Sequence, residues 1–236
     1  MTDTSERICE FCHEEVHGTT CGKSDCQVKA LQRFLRESPR QALHAKGVPK
    51  LYSRATLGDF DDIYSTDAIN ASGLLVTGSS GVGKTHLGTA MFVALLPRAV
   101  CGAGGDGPGR LAMVSALWGS VPEFLAEVRG TFGQGHDAER FVISRYSCPK
   151  LLMLDDLGAE KVSDWTSQSL YLLLSRRLND CKPTIVTSNL TLKELDATDP
   201  RLASRLGGMA EIRLAGDDRR LAEPPDAADT TKGVSE

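Results

Sequence analysis

One eight-residue stretch restricts the fold of this chain more than any other. Residues 78–85 read Gly78, Ser79, Ser80, Gly81, Val82, Gly83, Lys84 and Thr85, matching the spacing G-x-x-x-x-G-K-[ST]. They follow the apolar run GLLVT and precede a stretch of helical character, KTHLGTAMFVAL. A glycine-rich turn between a buried strand and a helix lets backbone N–H groups converge on an anion, and the helix N-terminus adds its dipole. The pattern demands an α/β sheet with this loop at a strand's carboxyl end, and it implies a bound nucleoside triphosphate. Lys84 is expected to reach the β- and γ-phosphates and the Thr85 hydroxyl to complete a Mg2+ shell. His86, next in the helix, counts with the nucleotide-binding residues. The alternative is a glycine-rich turn that binds nothing, and the flanks on both sides argue against it.

The rest of the chain has the alternation such a sheet needs. Short apolar runs at 73–77, 111–115, 150–154, 184–188 and 211–214 read as strands buried on both faces. Helices are expected at 84–96, 121–131, 164–179 and 191–195. Ser120 with Glu123, and Thr191 with Glu194, have capping-box spacing at two of the starts. The division expected is a cysteine module at 1–36, a linker and lead-in segment at 37–58, an ATPase domain at 59–222 and a disordered tail at 223–236. The loop 102–109 (GAGGDGPG) reads as flexible from its composition.

A second half-site is expected at 151–156, LLMLDD. An apolar strand ending in carboxylates places Asp155 at the same sheet edge as the loop, where it can hold a Mg2+-bound water. Asp156 comes next, positioned to orient or deprotonate an attacking water. Alone, such a strand end is common; downstream of this loop the chemical reading prevails. A third strand ends Thr187-Ser188-Asn189, and the Asn189 amide could position water near a γ-phosphate or simply cap a turn. Arg201 and Arg205 share a helix face at i, i+4 spacing. They are either a solvated pair or, in a ring or spiral assembly, a finger reaching a neighbour's nucleotide. Arg219 and Arg220 are a cationic contact or a surface pair.

The segments GSSGVGKT, LLMLDDLGAEKVSDW, PTIVTSNLTLKEL, RLASRL and GDDRR together resemble the AAA+ ATPases of the DnaC/DnaI helicase-loader group, which includes the IstB transposition ATPases. The resemblance spans roughly residues 47–220. It implies Walker A roles for Lys84 and Thr85, the Mg2+-orienting role for Asp155, and the catalytic-acid position for Asp156, one methylene shorter than the usual Glu. It makes Asn189 the first sensor, Arg205 the arginine finger with Arg201 second, and Arg219 the second sensor. The chain ends soon after Arg220, which leaves no room for a helical lid. By the same resemblance, GVPKLYSRATLGDF helps enclose the adenine. The segment 121–131 and the stretch after it, with Arg129, Arg140 and Arg145, fall where single-stranded DNA is contacted.

Four of seven cysteines, Cys9, Cys12, Cys21 and Cys26, form C-x₂-C-x₈-C-x₄-C near the start. That is the count of a tetrahedral structural zinc site, with His13 and His17 as substitutes for one thiolate. So short a segment cannot bury a core, and the metal would provide its folding energy. By analogy with loaders, the module grips the helicase. With 27 Lys and Arg against 31 Asp and Glu, the net charge of −4 excludes a global pull toward nucleic acid or an anionic membrane. No apolar run approaches the ~20 residues of a spanning helix, and no apolar signal core opens the chain, so a cytoplasmic location is expected.

The leading expectation is an ATPase, cofactors ATP, Mg2+ and Zn2+, that loads a replicative helicase onto single-stranded DNA and self-associates into a ring or spiral. The alternatives are an IstB-like regulator of a transposase and a nucleotide-stabilised binding module with little hydrolysis. A small-molecule kinase explains neither Asn189 nor the paired arginines.

Overall fold

The computed structural model describes residues 7–13, 15–16, 23–60, 69, 73–102, 112–159 and 163–219. Its strands are β1 (Arg7–Ile8), β2 (Glu15–Val16), β3 (Leu74–Gly78), β4 (Val100–Cys101), β5 (Met113–Val114), β6 (Ala116–Ser120), β7 (Leu151–Leu157), β8 (Thr184–Ser188) and β9 (Ala210–Leu214). Its helices are α1 (Ser24–Glu37), α2 (Arg40–Leu43), α3 (Lys84–Leu95), α4 (Val121–Gly130), α5 (His136–Ser147), α6 (Asp164–Asn179), α7 (Leu192–Thr198) and α8 (Pro200–Leu206). Five parallel strands make the main sheet in the order β6-β7-β8-β3-β9.

The inner strands β3, β7 and β8 are buried nearly throughout because a strand's period of two feeds two cores at once. Leu74, Val76, Leu151, Met153 and Ile185 point to one face, where they meet α3 and Leu35 of α1. Leu75, Leu152, Leu154 and Val186 point to the other, against residues of α4, α5, α6 and α8. Helix α3, covered on nearly every side, is correspondingly apolar all round, with Leu87, Met91 and Phe92 fully buried. Capping boxes start α4 at Ser120–Glu123 and α7 at Thr191–Glu194, as the spacing anticipates.

The sheet order decides where the chemistry can meet. β8 stands between β3, which carries the glycine-rich loop, and β7, which carries the paired acids. The loop, the end of β8 and the acids therefore lie in a row at the carboxyl edge. At the opposite edge, Arg177 is fully buried. Its guanidinium donates to the carbonyls of Tyr146, Ser147, Pro149 and Pro183 and to the Thr184 hydroxyl, tying the loops that lead into β7 and β8 together. Burial lowers its pKa to about 10, so it stays charged at neutral pH.

Three sequence expectations need correction. The second strand of the main sheet is β6, not 111–115. Ser115 ends the β4–β5 hairpin, donating to the Ala99 carbonyl, and its own carbonyl accepts from Leu151, which restarts the chain in the main sheet. The run LAMVSALW reads as one apolar stretch, and this change of partner at Ser115 is what divides it. The segment 37–58 is not a free linker, because Leu43, Val48 and Ala55 are buried. Its polar, Pro/Gly-punctuated composition reflects short 3₁₀ turns at His44–Lys46, Lys50–Tyr52 and Leu57–Asp59. The stretch 136–147, given no element from sequence, is α5, which buries Ile143 and Tyr146 at i, i+3 spacing. The 223–236 tail, Cys21 and Arg220 lie outside the described residues, as does nearly all of the 102–109 loop.

Candidate functional site

The loop after β3 is anchored by Val82, which enters the core, while Ser79 and Ser80 stay exposed. Gly83, at φ +103°, supplies the left-handed residue from which α3 starts. Lys84 is only 7% exposed and arches back so that Nζ donates to the Ser79 carbonyl at 2.6 Å. At Gly81, φ +79°, a Cβ would collide with the Asp218 carboxylate. The Arg219 N–H also donates to the Gly81 carbonyl at 3.0 Å, so the strand-end segment after β9 returns onto the loop. The Arg219 guanidinium lies 4.9 Å over the Phe60 ring.

The acids sit on a β-bulge. Pairing of β7 with β8 shifts register between Leu154 and Leu157, and Asp156 adopts φ +64°. A bulge leaves backbone groups without ladder partners, and here two hydroxyls of β8 take them. Thr187 Oγ1 accepts from the Asp156 N–H at 3.0 Å, and Ser188 Oγ donates to the Leu157 carbonyl at 2.8 Å. Thr187 Oγ1 also donates to Asp155 Oδ1 at 2.6 Å. Burial pushes the Asp155 carboxyl above the ordinary carboxylate range. Hydrogen bonds from Thr187 and Thr85 and the charge of Lys84 pull it back, while the charge of Asp156 adds to the rise. The Asn189 amide donates to Asp156 Oδ1 at 3.2 Å.

These groups border one cleft of about 700 Å³. Of the residues expected from sequence, it gathers Ser80, Gly81, Gly83, Lys84, Thr85, His86, Asp155, Asp156, Asn189 and Arg219. Its other end is formed by Leu51, Tyr52 and Asp59 from the 3₁₀ turns. There His86 Nε2 meets Asp59 Oδ2 at 2.6 Å, and the His86 ring stands edge-on to Tyr52 and Phe60. The hydrogen bond from His86, with further ones from Thr56, draws the Asp59 carboxyl down to about 2. A polar, cationic end beside an apolar and aromatic end suits a nucleotide, phosphates at the first and base at the second.

Arg205 is not in this cleft. It donates to the Tyr171 hydroxyl of α6 at 3.0 Å and lies over that ring, while Arg201 is exposed. Sequence reasoning gave Thr187 no role, since a threonine in a buried strand reads as a β-branched strand former. Of the three arginines assigned to DNA, Arg145 is paired with Glu127 at 2.6 Å and Arg129 lies over Trp165, while Arg140 is exposed.

At the N-terminal end, Cys9 and Cys12 flank a turn closed by the His13 N–H on the Cys9 carbonyl, and Cys26 lies in the first turn of α1. The three Sγ atoms all lie within 4.8 Å of one another, with Cys9 and Cys26 buried. Bonds of 2.3 Å to a tetrahedral zinc imply sulfur separations of about 3.8 Å, so three of the four expected thiols fit such an ion. Arg33 of α1 reaches Glu10 of the turn at 2.7 Å. Cys101, Cys148 and Cys181 are not part of this cluster. Among the described residues, no helix is long and apolar enough to cross a membrane.

Comparison with known proteins agrees with this architecture. The family model "IstB-like ATP binding protein" matches residues 60–207. The replicative helicase loader DnaI of Bacillus subtilis (strain 168) is 27% identical over 163 residues, covering 63% of this chain and 47% of the loader. The chain spans about half the length of the curated relatives it matches. A crystal structure of DnaI superposes with a TM-score of 0.54 at 26% identity, over 71% of this chain and 95% of that one. A crystal structure of the DnaC helicase loader does so with a TM-score of 0.54 at 22% identity, over 71% of this chain and all of that one, a likeness of fold.

Proposed function

Because the chain belongs to the IstB-like ATP binding protein family, we propose that it is an ATPase of the AAA+ type that loads a replicative helicase onto single-stranded DNA. The observation that carries the ATPase reading is the meeting of Lys84, Thr85, Asp155, Asp156 and Asn189 around one cleft. The triphosphate lies along the 78–85 loop, drawing Lys84 from the Ser79 carbonyl to the β- and γ-phosphates. Thr85 and Asp155 would hold Mg2+, which when bound would neutralise charge on the phosphates. Asp156, oriented by the Asn189 amide, accepts the proton of the attacking water. Leu51, Tyr52 and the His86–Asp59 pair bound the base, and Arg219 contributes a cation at the loop. Arg205 serves a neighbouring subunit's nucleotide in a ring or spiral, which accounts for its position outside this chain's own cleft.

Cys9, Cys12 and Cys26 would hold a structural zinc, with Cys21 the fourth thiol the sequence offers, and this module takes the helicase. The sequence likeness to the DnaI and DnaC loaders favours a loader. The family match favours a second reading, in which the same motor regulates a transposase. Titrating the full chain with a fluorescent ATP analogue, and following hydrolysis with and without single-stranded DNA, tests the first claim. Lys84→Ala is expected to weaken nucleotide binding by about two orders of magnitude; unchanged affinity would refute the site. Tight binding without turnover would favour a nucleotide-stabilised binding module. Co-purification in ATP with a replicative helicase supports the loader, and with a transposase the regulator.

A further inference from the structure

A bulge in the middle of a catalytic strand has to be held open. Asp156 keeps a left-handed backbone, a strained conformation for a residue with a Cβ, and its N–H has left the β7–β8 ladder. The Asp155 side chain next to it is 8% exposed and needs partners for a carboxylate withdrawn from water. One hydroxyl answers both demands. Thr187 is 1% exposed and sits on the strand between the glycine-rich loop and the acids.

A hydroxyl has one proton to give, and the Asp156 N–H can only donate. The Thr187 proton is therefore directed to Asp155 Oδ1 at 2.6 Å, while a lone pair takes the Asp156 N–H at 3.0 Å. The arrangement occupies one side of the Asp155 carboxylate, with Thr85 as a further partner of that carboxylate. It also pins the backbone from which the Asp156 side chain projects toward Asn189.

We infer that Thr187 is a positioning residue whose single hydroxyl sets the geometry of both acids, the metal-orienting Asp155 and the water-activating Asp156. The inference rests on the ATPase reading above. Asp155 without this donor can turn its carboxylate, and Asp156 without this acceptor can relax out of the bulge. A partner standing behind a metal-orienting ligand in this way is commonly worth 10–100-fold in metal affinity or activity.

Thr187→Val keeps the shape and β-branching and removes only the hydroxyl. It is expected to raise the Mg2+ concentration for half-maximal nucleotide binding about tenfold, and to lower kcat about tenfold with little change in KM. Nucleotide affinity measured in EDTA should stay at the wild-type value. Thr187→Ser, which keeps the hydroxyl, should restore both quantities, and Thr187→Ala, which also lacks the hydroxyl, should show the same two losses and replaces the valine variant where that chain does not fold. Wild-type Mg2+ dependence and turnover in the valine variant would overturn the inference, as would equal impairment of the serine variant. If the wild-type chain itself showed no Mg2+-dependent nucleotide binding, the ATPase reading would fall first.

Discussion

Individual side chains in the cleft are held by partners that can be titrated or removed. Asp59 is the clearest case. Its carboxyl accepts from His86 and Thr56 and is drawn down to about 2, below the ordinary value of 3.8. A carboxyl whose folded pKa is depressed favours the folded state above its unfolded value and loses that contribution as pH falls through the folded one. The wild-type chain should therefore be more stable than Asp59→Asn above pH 4, with the difference vanishing as pH drops from about 4 to about 2. Urea midpoints across that range check it, and a constant gap would remove the assignment. Asp59 is partly exposed, so the effect is modest. Lys84, Asp155 and Asn189 were legible in the sequence because each belongs to a spaced pattern. Thr187 and Arg177 were not, because their importance comes from groups distant along the chain: carbonyls 28 to 31 residues before Arg177, and an acid 32 before Thr187.

Elements were readable where one local period prevailed. The strand at 184–188 and the helix at 164–179 have the limits the pattern predicts. The strand ending in the acids runs to Leu157 because the bulge lets it resume pairing after Asp155 and Asp156, and a two-residue interruption has no signature in hydropathy. At 37–58 the composition of a linker hid buried turns, since polar punctuation marks a change of direction and not the absence of a core beneath it. Helix α1 tests the metal assignment. Its first turn carries Cys26 and its body is tied back to the turn by Arg33 on Glu10. Replacing Cys9 and Cys12 together by Ser should eliminate a stoichiometric zinc, measured by metal analysis as one per wild-type chain, and should lower the thermal stability of the N-terminal part. A metal-free wild-type chain with an intact fold would end the claim.

At the scale of the whole molecule, nearly all the expected chemistry gathers at one sheet edge, and the finger candidate stands apart from it. Arg205 is fastened to Tyr171 of α6, and its hydrogen bond and charge hold that phenol below its usual pKa. Under the proposed finger role, Arg205 serves a second copy and not its own chain's phosphates. Arg205→Ala should leave nucleotide affinity of the dilute protein unchanged and should abolish any rise of specific activity with protein concentration. Turnover that increases with concentration equally in both proteins would exclude the assignment.

Helix α3 links the two ends of this design. It starts at Lys84, extends about 18 Å at 1.5 Å per residue, and continues into the Leu96–Ala99 turn against which α1 packs. The helix tied to the cysteine turn by Arg33 on Glu10 thus packs at the tail of the helix whose head carries Lys84. In the proposed loader, a partner on the cysteine turn would therefore stand at the far end of that helix from the phosphate loop.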